Sequence, residues 1–327
     1  MGLKDYKFLW LTEGGWEGKV SLDNPNMRND VSTKYILGAE HYPIFQIPEL
    51  VKQFEKDYFD FTIVTLPKTN IDQLAHIDIV GELRKISKKV VSMQEGPHWY
   101  FQDYRMEQQI WWYNSLTEFD MLFAHNKKDV EYYRGITNKP VQKMPTLMLA
   151  ERLGIVPRSE WGDVVMIGGN MVRWYGGFDS YVVAQQFDMS IYAPSMGRKI
   201  DREEEMDITH LPYMTWVEWI KALSQFHVGV HMMPTHAAGT FTLNCAFHGI
   251  PCIGYKGLDT QEELHPLLSV NDGDMAGAIK LAQKLKDDKF YEECSIICRE
   301  NYTKSLYTEE SCVEYLTTIF QDLLNED

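Results

Sequence analysis

Short apolar runs alternate with longer amphipathic stretches along most of the chain. Residues 6–11 (YKFLWL) read as a buried strand running into Glu13-Gly14-Gly15, and residues 61–66 (FTIVTL) as a second that stops at Pro67. Residues 89–93 (KVVSM) predict a third, followed by Gln94-Glu95-Gly96-Pro97, and residues 121–124 (MLFA) a fourth, ending at His125-Asn126. Helical periodicity fills the gaps at 47–55, 79–88, 106–115 and 128–134. Strands separated by helices imply parallel pairing, because a parallel crossover needs a long connection. Glu40-His41-Tyr42 falls outside this pattern and reads as a loop.

The pattern then restarts. Residues 163–167 (DVVMI) predict a strand ending in Gly168-Gly169-Asn170, with further strands at 189–193, 227–232 and 251–255. Helices are expected at 180–187, 215–225, 240–248, 275–286, 288–302 and 308–325. The stretch 144–161 carries Pro145 and Pro157 and fits neither half, so the domain junction is placed there. The expectation is an α/β fold of two Rossmann-like doubly wound domains facing across a cleft, residues 1–155 and 156–327. No solenoid-period repeat or low-complexity tract interrupts it.

The length of 327 residues suits two such domains. A net charge of -15 repels phosphate polyanions at long range and argues against nonspecific nucleic-acid binding as the main role. Five cysteines without regular spacing point to a reducing compartment, and Cys294 and Cys298 are spaced to share a helix face. No apolar run reaches the ~20 residues of a membrane span. The opening MGLKDYKFLWLTEGG breaks the apolar stretch a secretory signal needs, and Tyr6 departs from the myristoylation pattern. A cytoplasmic protein without an integral membrane segment is expected. Aromatic residues make up 13%, and Trp16, Trp99, Tyr100, Trp111 and Trp112 are expected in loops.

In open α/β sheets, ligands bind beyond the carboxyl ends of the strands. The loop Glu13-Gly14-Gly15-Trp16-Glu17-Gly18 is either a flexible cover over donor phosphates or acceptor, or a tight turn. Glu95, at a strand end, is either a general base or a carboxylate that pairs with Arg105. His98 is a weaker candidate, expected in solvent or packed on a neighbour. Gly168-Gly169-Asn170 leads to Arg173, a combination that suits a diphosphate. Arg198 and Lys199 add cations after the next strand, unless they pair with the acidic run 201–205. The strongest constellation is Pro234-Thr235-His236-Ala237-Ala238-Gly239-Thr240, small residues opening a helix with Asn244 one turn on. A helix start carries partial positive charge and bare amides, which suits a phosphate; the plainer reading is that Thr240 caps the helix. Asn271-Asp272-Gly273-Asp274 reads as a capping turn rather than a metal site.

Over residues 163–325 the chain resembles the donor domain of GT-B nucleotide-sugar glycosyltransferases of the retaining group 1 type. That family has a glycine-ended strand and an Arg/Lys pair on the diphosphate; here Gly168 and Arg173 match, and Tyr175 stands near the lysine position. It also has two glutamates separated by seven residues, then Ala and Gly-x-Pro. The frame 236–251 is intact, with His236 and Asn244 in place of both glutamates and Ala246, Gly249 and Pro251 retained. The motif therefore does not fix the sugar or the anomeric outcome. The resemblance implies that Asn244 holds the ribose and that the Leu211-Pro212-Tyr213-Met214 loop reads the base, with Tyr213 stacking on it. It also implies a last helix that crosses back to the first domain. Over the first half the likeness is architectural, with Glu95 at the strand end that faces the acceptor. The implied activity is a metal-independent hexosyl- or pentosyltransferase with no cofactor beyond a nucleotide-sugar donor, UDP-linked. The acceptor is a glycan, a small molecule or modified DNA, as in phage enzymes that glycosylate hydroxymethylcytosine. The alternative outside catalysis is an inactive nucleotide-sugar-binding protein.

Overall fold

The computed structural model describes residues 2–194 and 202–326. The chain divides into two compact units: Met1–Asn24, Asn29–Leu147 and Glu309–Asp327 form the first, Pro25–Arg28 and Met148–Thr308 the second.

In the first unit the order is β1 (Phe8–Thr12), β2 (Gly18–Lys19), α1 (Asn29–Leu37), β3 (Glu40–Pro43), α2 (Ile47–Gln53), β4 (Phe59–Thr65), α3 (Ile71–Leu74), α4 (Ile79–Leu83), β5 (Ser87–Gln94), α5 (Met106–Glu118), β6 (Met121–Ala124), α6 (Lys127–Ile136) and β7 (Val141–Lys143). The sheet runs β2-β3-β1-β4-β5-β6-β7, parallel throughout except for β2 against β3. Its central strands are near-continuous apolar runs because both faces are covered. Residues 40–43 are not a loop but β3, with His41 opposite Trp10. The strand is polar, so no apolar run announces it; alternation turns His41 inward, where it is fully buried. Trp111 and Trp112 lie on α5, not in a loop.

The second unit continues with β8 (Val165–Ile167), α7 (Gly177–Ala184), β9 (Ile191–Ala193), β10 (Thr209–His210), α8 (Trp216–Leu223), β11 (Val228–His231), α9 (Thr240–His248), β12 (Cys252–Tyr255), α10 (Asp259–Leu264), β13 (Ser269–Val270), α11 (Met275–Lys284) and α12 (Asp288–Thr303). Its sheet, β10-β9-β8-β11-β12-β13, is wholly parallel. Asp274 does cap a helix: its carboxylate accepts from Gly277 N–H at 2.9 Å at the start of α11. Cys294 and Cys298 are both buried on α12.

A final helix, α13 (Glu309–Asn325), belongs to the first unit. Phe320 fixes it there, its ring 4.9 Å from Phe8, 4.6 Å from Phe61 and 5.7 Å from Phe123. No described helix is long and apolar enough to cross a membrane. Strand order breaks between β1 and β4 in one sheet and between β8 and β11 in the other. Such switch points leave a crevice at the carboxyl ends of the strands, where ligands bind.

Candidate functional site

In the second unit, the β8 and β11 ends are assembled by close backbone packing. Gly168 leaves β8 with its N–H donating to Val230 O at 2.9 Å, and a Cβ there would lie 2.5 Å from the Phe241 ring. A Cβ on Gly169 would meet Tyr175 at 2.9 Å. Gly176, at φ 62°, sits so near Met232 O that a Cβ would lie 1.7 Å away. Ser180 on α7 ties the two strand ends, donating to Gly176 O at 2.8 Å and accepting from Met232 N–H at 2.9 Å. The short 3-10 turn Arg173–Tyr175 is held here, with Arg173 exposed and no ion pair to it among the described residues.

The helix start that follows β11 is pinned from behind. Gly239, not Thr240, is the cap residue, at φ 70°, and Thr240 is the first helical residue. The Gly239 carbonyl accepts from the Thr242 and Thr260 hydroxyls, each at 3.0 Å, and from Leu243 N–H at 3.2 Å. A Cβ on Gly239 would fall 1.9 Å from Thr260 Oγ1. Gly239 is therefore buried against α10 and supplies a backbone conformation rather than an open face. Ahead of Leu243, the amides of Thr240, Phe241 and Thr242 have no acceptor among the described residues. Those are the orphan donors of a helix start, which side chains, water or an anion can satisfy.

Near this strand end, polar atoms of three buried side chains lack a protein partner among the described residues. They are Asn170 Nδ2, Asn244 Oδ1 and both ring nitrogens of His231. Buried polar groups are normally hydrogen-bonded. His231 packs on Gly168 and edge-on to Phe241, 5.3 Å away, and burial pushes it down to about 4. Asn244 is buried on α9, His236 is half-buried between β11 and α9, and Tyr213 is 75% exposed ahead of α8. Arg198 lies outside the described residues.

In the first unit, the strand ends carry side chains instead. Gly14 and Gly15 are exposed in the loop after β1. His41 holds that loop: its Nδ1 donates to Trp16 O at 2.5 Å, its Nε2 lies 2.8 Å from Thr12 Oγ1, and its ring is 4.6 Å from Trp16. Burial, then the buried Lys34 ammonium, push His41 down to about 4. Glu95 follows β5 and pairs not with Arg105 but with Lys68, at 3.9 Å. Arg105 is taken by Asp72 at 2.8 Å and Glu107 at 2.9 Å. His125, beyond β6, is lowered by burial, with Glu95 opposing.

His98 is neither in solvent nor merely packed. Its Nδ1 lies 2.7 Å from the buried Asp129 carboxylate, its backbone N–H donates to the same oxygen at 2.9 Å, and its ring stacks on Tyr132 at 4.1 Å. Asn126 steadies Asp129 through its Nδ2 at 2.7 Å and caps α6 by accepting from Asp129 N–H.

No protein-family model and no curated protein matches the sequence. Solved structures do. HepE of Anabaena, in complex with UDP-glucose, is 10% identical over 98% of this chain and 100% of its own, with a TM-score of 0.67. Sucrose-phosphate synthase from Thermosynechococcus elongatus is 13% identical over 98% and 100%, TM-score 0.65. The pneumococcal O-GlcNAc transferase GtfA, in complex with UDP and GlcNAc, is 10% identical over 86% of this chain and 60% of its own, TM-score 0.63. The chain has the GT-B fold.

Within the GT-B frame, the second unit brings together Gly168, the Arg173 turn and the Gly239–Thr240 helix start around two adjacent strand ends. Thr260 and His231 were not foreseen, because nothing in their spacing marks them. The first unit places Glu95 beside Lys68 rather than alone. Its His98–Asp129 pair spans 31 residues of sequence, and only the succession of β5 and α6 joins the two.

Proposed function

We propose that the chain is a glycosyltransferase that takes a sugar from a nucleoside-diphosphate donor, with UDP as the carrier. The observation that carries this reading is the start of α9, where three successive amides have no acceptor among the described residues, behind a carbonyl locked by Thr242 and Thr260. A diphosphate is the anion suited to such a cradle. Arg173 offsets its charge as the leaving group departs, so amides and a guanidinium do the work of a metal. Asn244 accepts from the ribose and Tyr213 stacks on the base. His236 serves the sugar. The UDP-bound states of HepE and GtfA support the choice of carrier.

Acceptor activation falls to the first unit. Glu95 is the assigned base if the reaction inverts the anomeric centre, and His98, oriented by Asp129, is the other group able to take a proton there. A retaining reaction needs neither. The net charge of -15 favours a glycan or small-molecule acceptor over modified DNA.

The test is a thermal-shift panel of UDP, GDP and ADP and their sugar conjugates on the whole chain and on Arg173→Ala. UDP compounds should raise the melting temperature, because a ligand of the native state stabilises it. Arg173→Ala should melt normally and bind UDP about tenfold more weakly. A panel without a hit, or an Arg173→Ala response equal to wild type, would remove the reading. Donor hydrolysis unaffected by EDTA would separate an enzyme without metal from an inactive binder.

A further inference from the structure

The strand-end loops are not the only concave surface of the first unit. The turn between α3 and α4 and the last turns of α5 enclose a cavity of about 260 Å³. Its lining includes His76, Asp78, Trp111, Asn114, Ser115 and Glu118. Trp111 and Ile77 pack from beneath on the apolar core, so the indole is a supported surface, half-buried. Asp78 is fixed as well, its Oδ1 accepting from Gly81 N–H at 2.8 Å at the start of α4. Ser115 donates to Trp111 O at 2.9 Å, which holds that turn of α5.

We infer that this groove binds one sugar residue of a carbohydrate chain, as an accessory site separate from the strand-end loops. A pyranose presents a flat C–H face and a rim of hydroxyls. The first needs a rigid aromatic surface, and the second needs polar side chains at its edge that donate and accept hydrogen bonds. Trp111 supplies one, and Asp78, Asn114, Glu118 and His76 supply the other. The lining holds no lysine or arginine and two carboxylates, which rejects phosphates and nucleotides. The volume lies below the range of drug-sized ligand pockets and suits a single ring. The groove leans on the transferase reading only in implying a glycan acceptor, which would be held at a second point during transfer.

Binding to the groove is measurable without turnover, so the two readings fail separately. Maltotriose and chitotriose are titrated onto the whole chain by saturation-transfer NMR, with spermine as a cationic control. The variants are Trp111→Ala and the double variant Asn114→Ala/Glu118→Ala, whose two side chains are exposed and whose loss should leave the fold intact. At least one trisaccharide should bind at millimolar affinity and weaken about tenfold in both variants, while UDP binding stays unchanged. Trisaccharide binding that survives the double variant, absence of binding by either sugar, or binding of spermine alone would each overturn the inference. Loss of UDP binding with the groove still active would remove the transferase reading and leave this one standing.

Discussion

The two strand-end regions are built from different materials. In the second unit, α9 begins on a glycine whose carbonyl is gripped by two threonines, and the surface it offers is backbone N–H. In the first unit the strand ends offer side chains from four places: His41 on β3, Lys68 after β4, Glu95 and His98 after β5, and His125 after β6. A backbone site depends on conformation and tolerates side-chain variation. A side-chain site depends on topology, because residues far apart in sequence must arrive together. The first should fail through strain and the second through lost chemistry.

The largest effect is expected at Gly239. Alanine there must hold φ near 70° and place its Cβ 1.9 Å from Thr260 Oγ1. Left-handed strain and the clash together should cost about 4 kcal/mol in the second unit and abolish UDP binding. Adding Thr260→Gly should return the clash component and leave the strain. Denaturant unfolding with nucleotide titration checks this; a Gly239→Ala protein that folds and binds normally would show that the backbone is not what makes the turn.

Acid should separate the two regions next. Burial holds His231, His248 and His265 of the second unit and His41 of the first at about 4. His227 and His125, one in each unit, are lowered as well. These folded values lie below the unfolded 6.5, so the unfolded chain takes up protons first as pH falls. For the four held at about 4, the stability is complete above 6.5 and is lost between 6.5 and about 4, roughly 2 kcal/mol per histidine by pH 5. Hydrogen exchange at pH 7, 6 and 5, corrected for intrinsic rates, should show β11 and α9 losing protection before β4 and β5. Equal losses in both sheets would break the contrast.

Asp129 tests the side-chain site. Asn at this position keeps the shape but removes the carboxylate that His98 Nδ1, His98 N–H and Asn126 share. Stability should fall by about 2 kcal/mol. If His98 moves the acceptor proton, kcat should also fall about tenfold with the donor KM unchanged. The same kcat loss in Glu95→Gln but not in Asp129→Asn would assign the proton to Glu95 instead.

This division explains what could be read from the chain. The strands at 59–65, 121–124 and 228–231 and the helix at 240–248 were visible as apolar runs and small-residue starts, since burial on both faces leaves a local signature. The β3 strand was not, because Glu40, His41, Tyr42 and Pro43 carry no apolar run, and its place was set by pairing with β1. Gly168 and Gly239 were visible as glycines, but the atoms that require glycine, on Phe241 and Thr260, were not. Lys68 beside Glu95 and Asp129 beside His98 were invisible for the same reason: parallel crossovers set those distances, and sequence spacing does not record them.

The smallest effect is expected at Tyr213. Its side chain is 75% exposed ahead of α8, and that helix start is already satisfied, with Thr215 and Glu218 forming a reciprocal cap. Tyr213→Ala should therefore shift stability by no more than about 0.5 kcal/mol. If the ring stacks on the nucleobase, UDP should bind a few-fold more weakly, and Tyr213→Phe should bind as wild type, because stacking needs the ring and not the hydroxyl. Base preference should relax in step, which the UDP, GDP and ADP panel reads directly. Weakening by Phe equal to that by Ala would assign the contact to the hydroxyl, and no change in either would place the base elsewhere on the second unit. That last result would leave the α9 turn untouched, since its amides recognise phosphate whatever base the nucleotide carries.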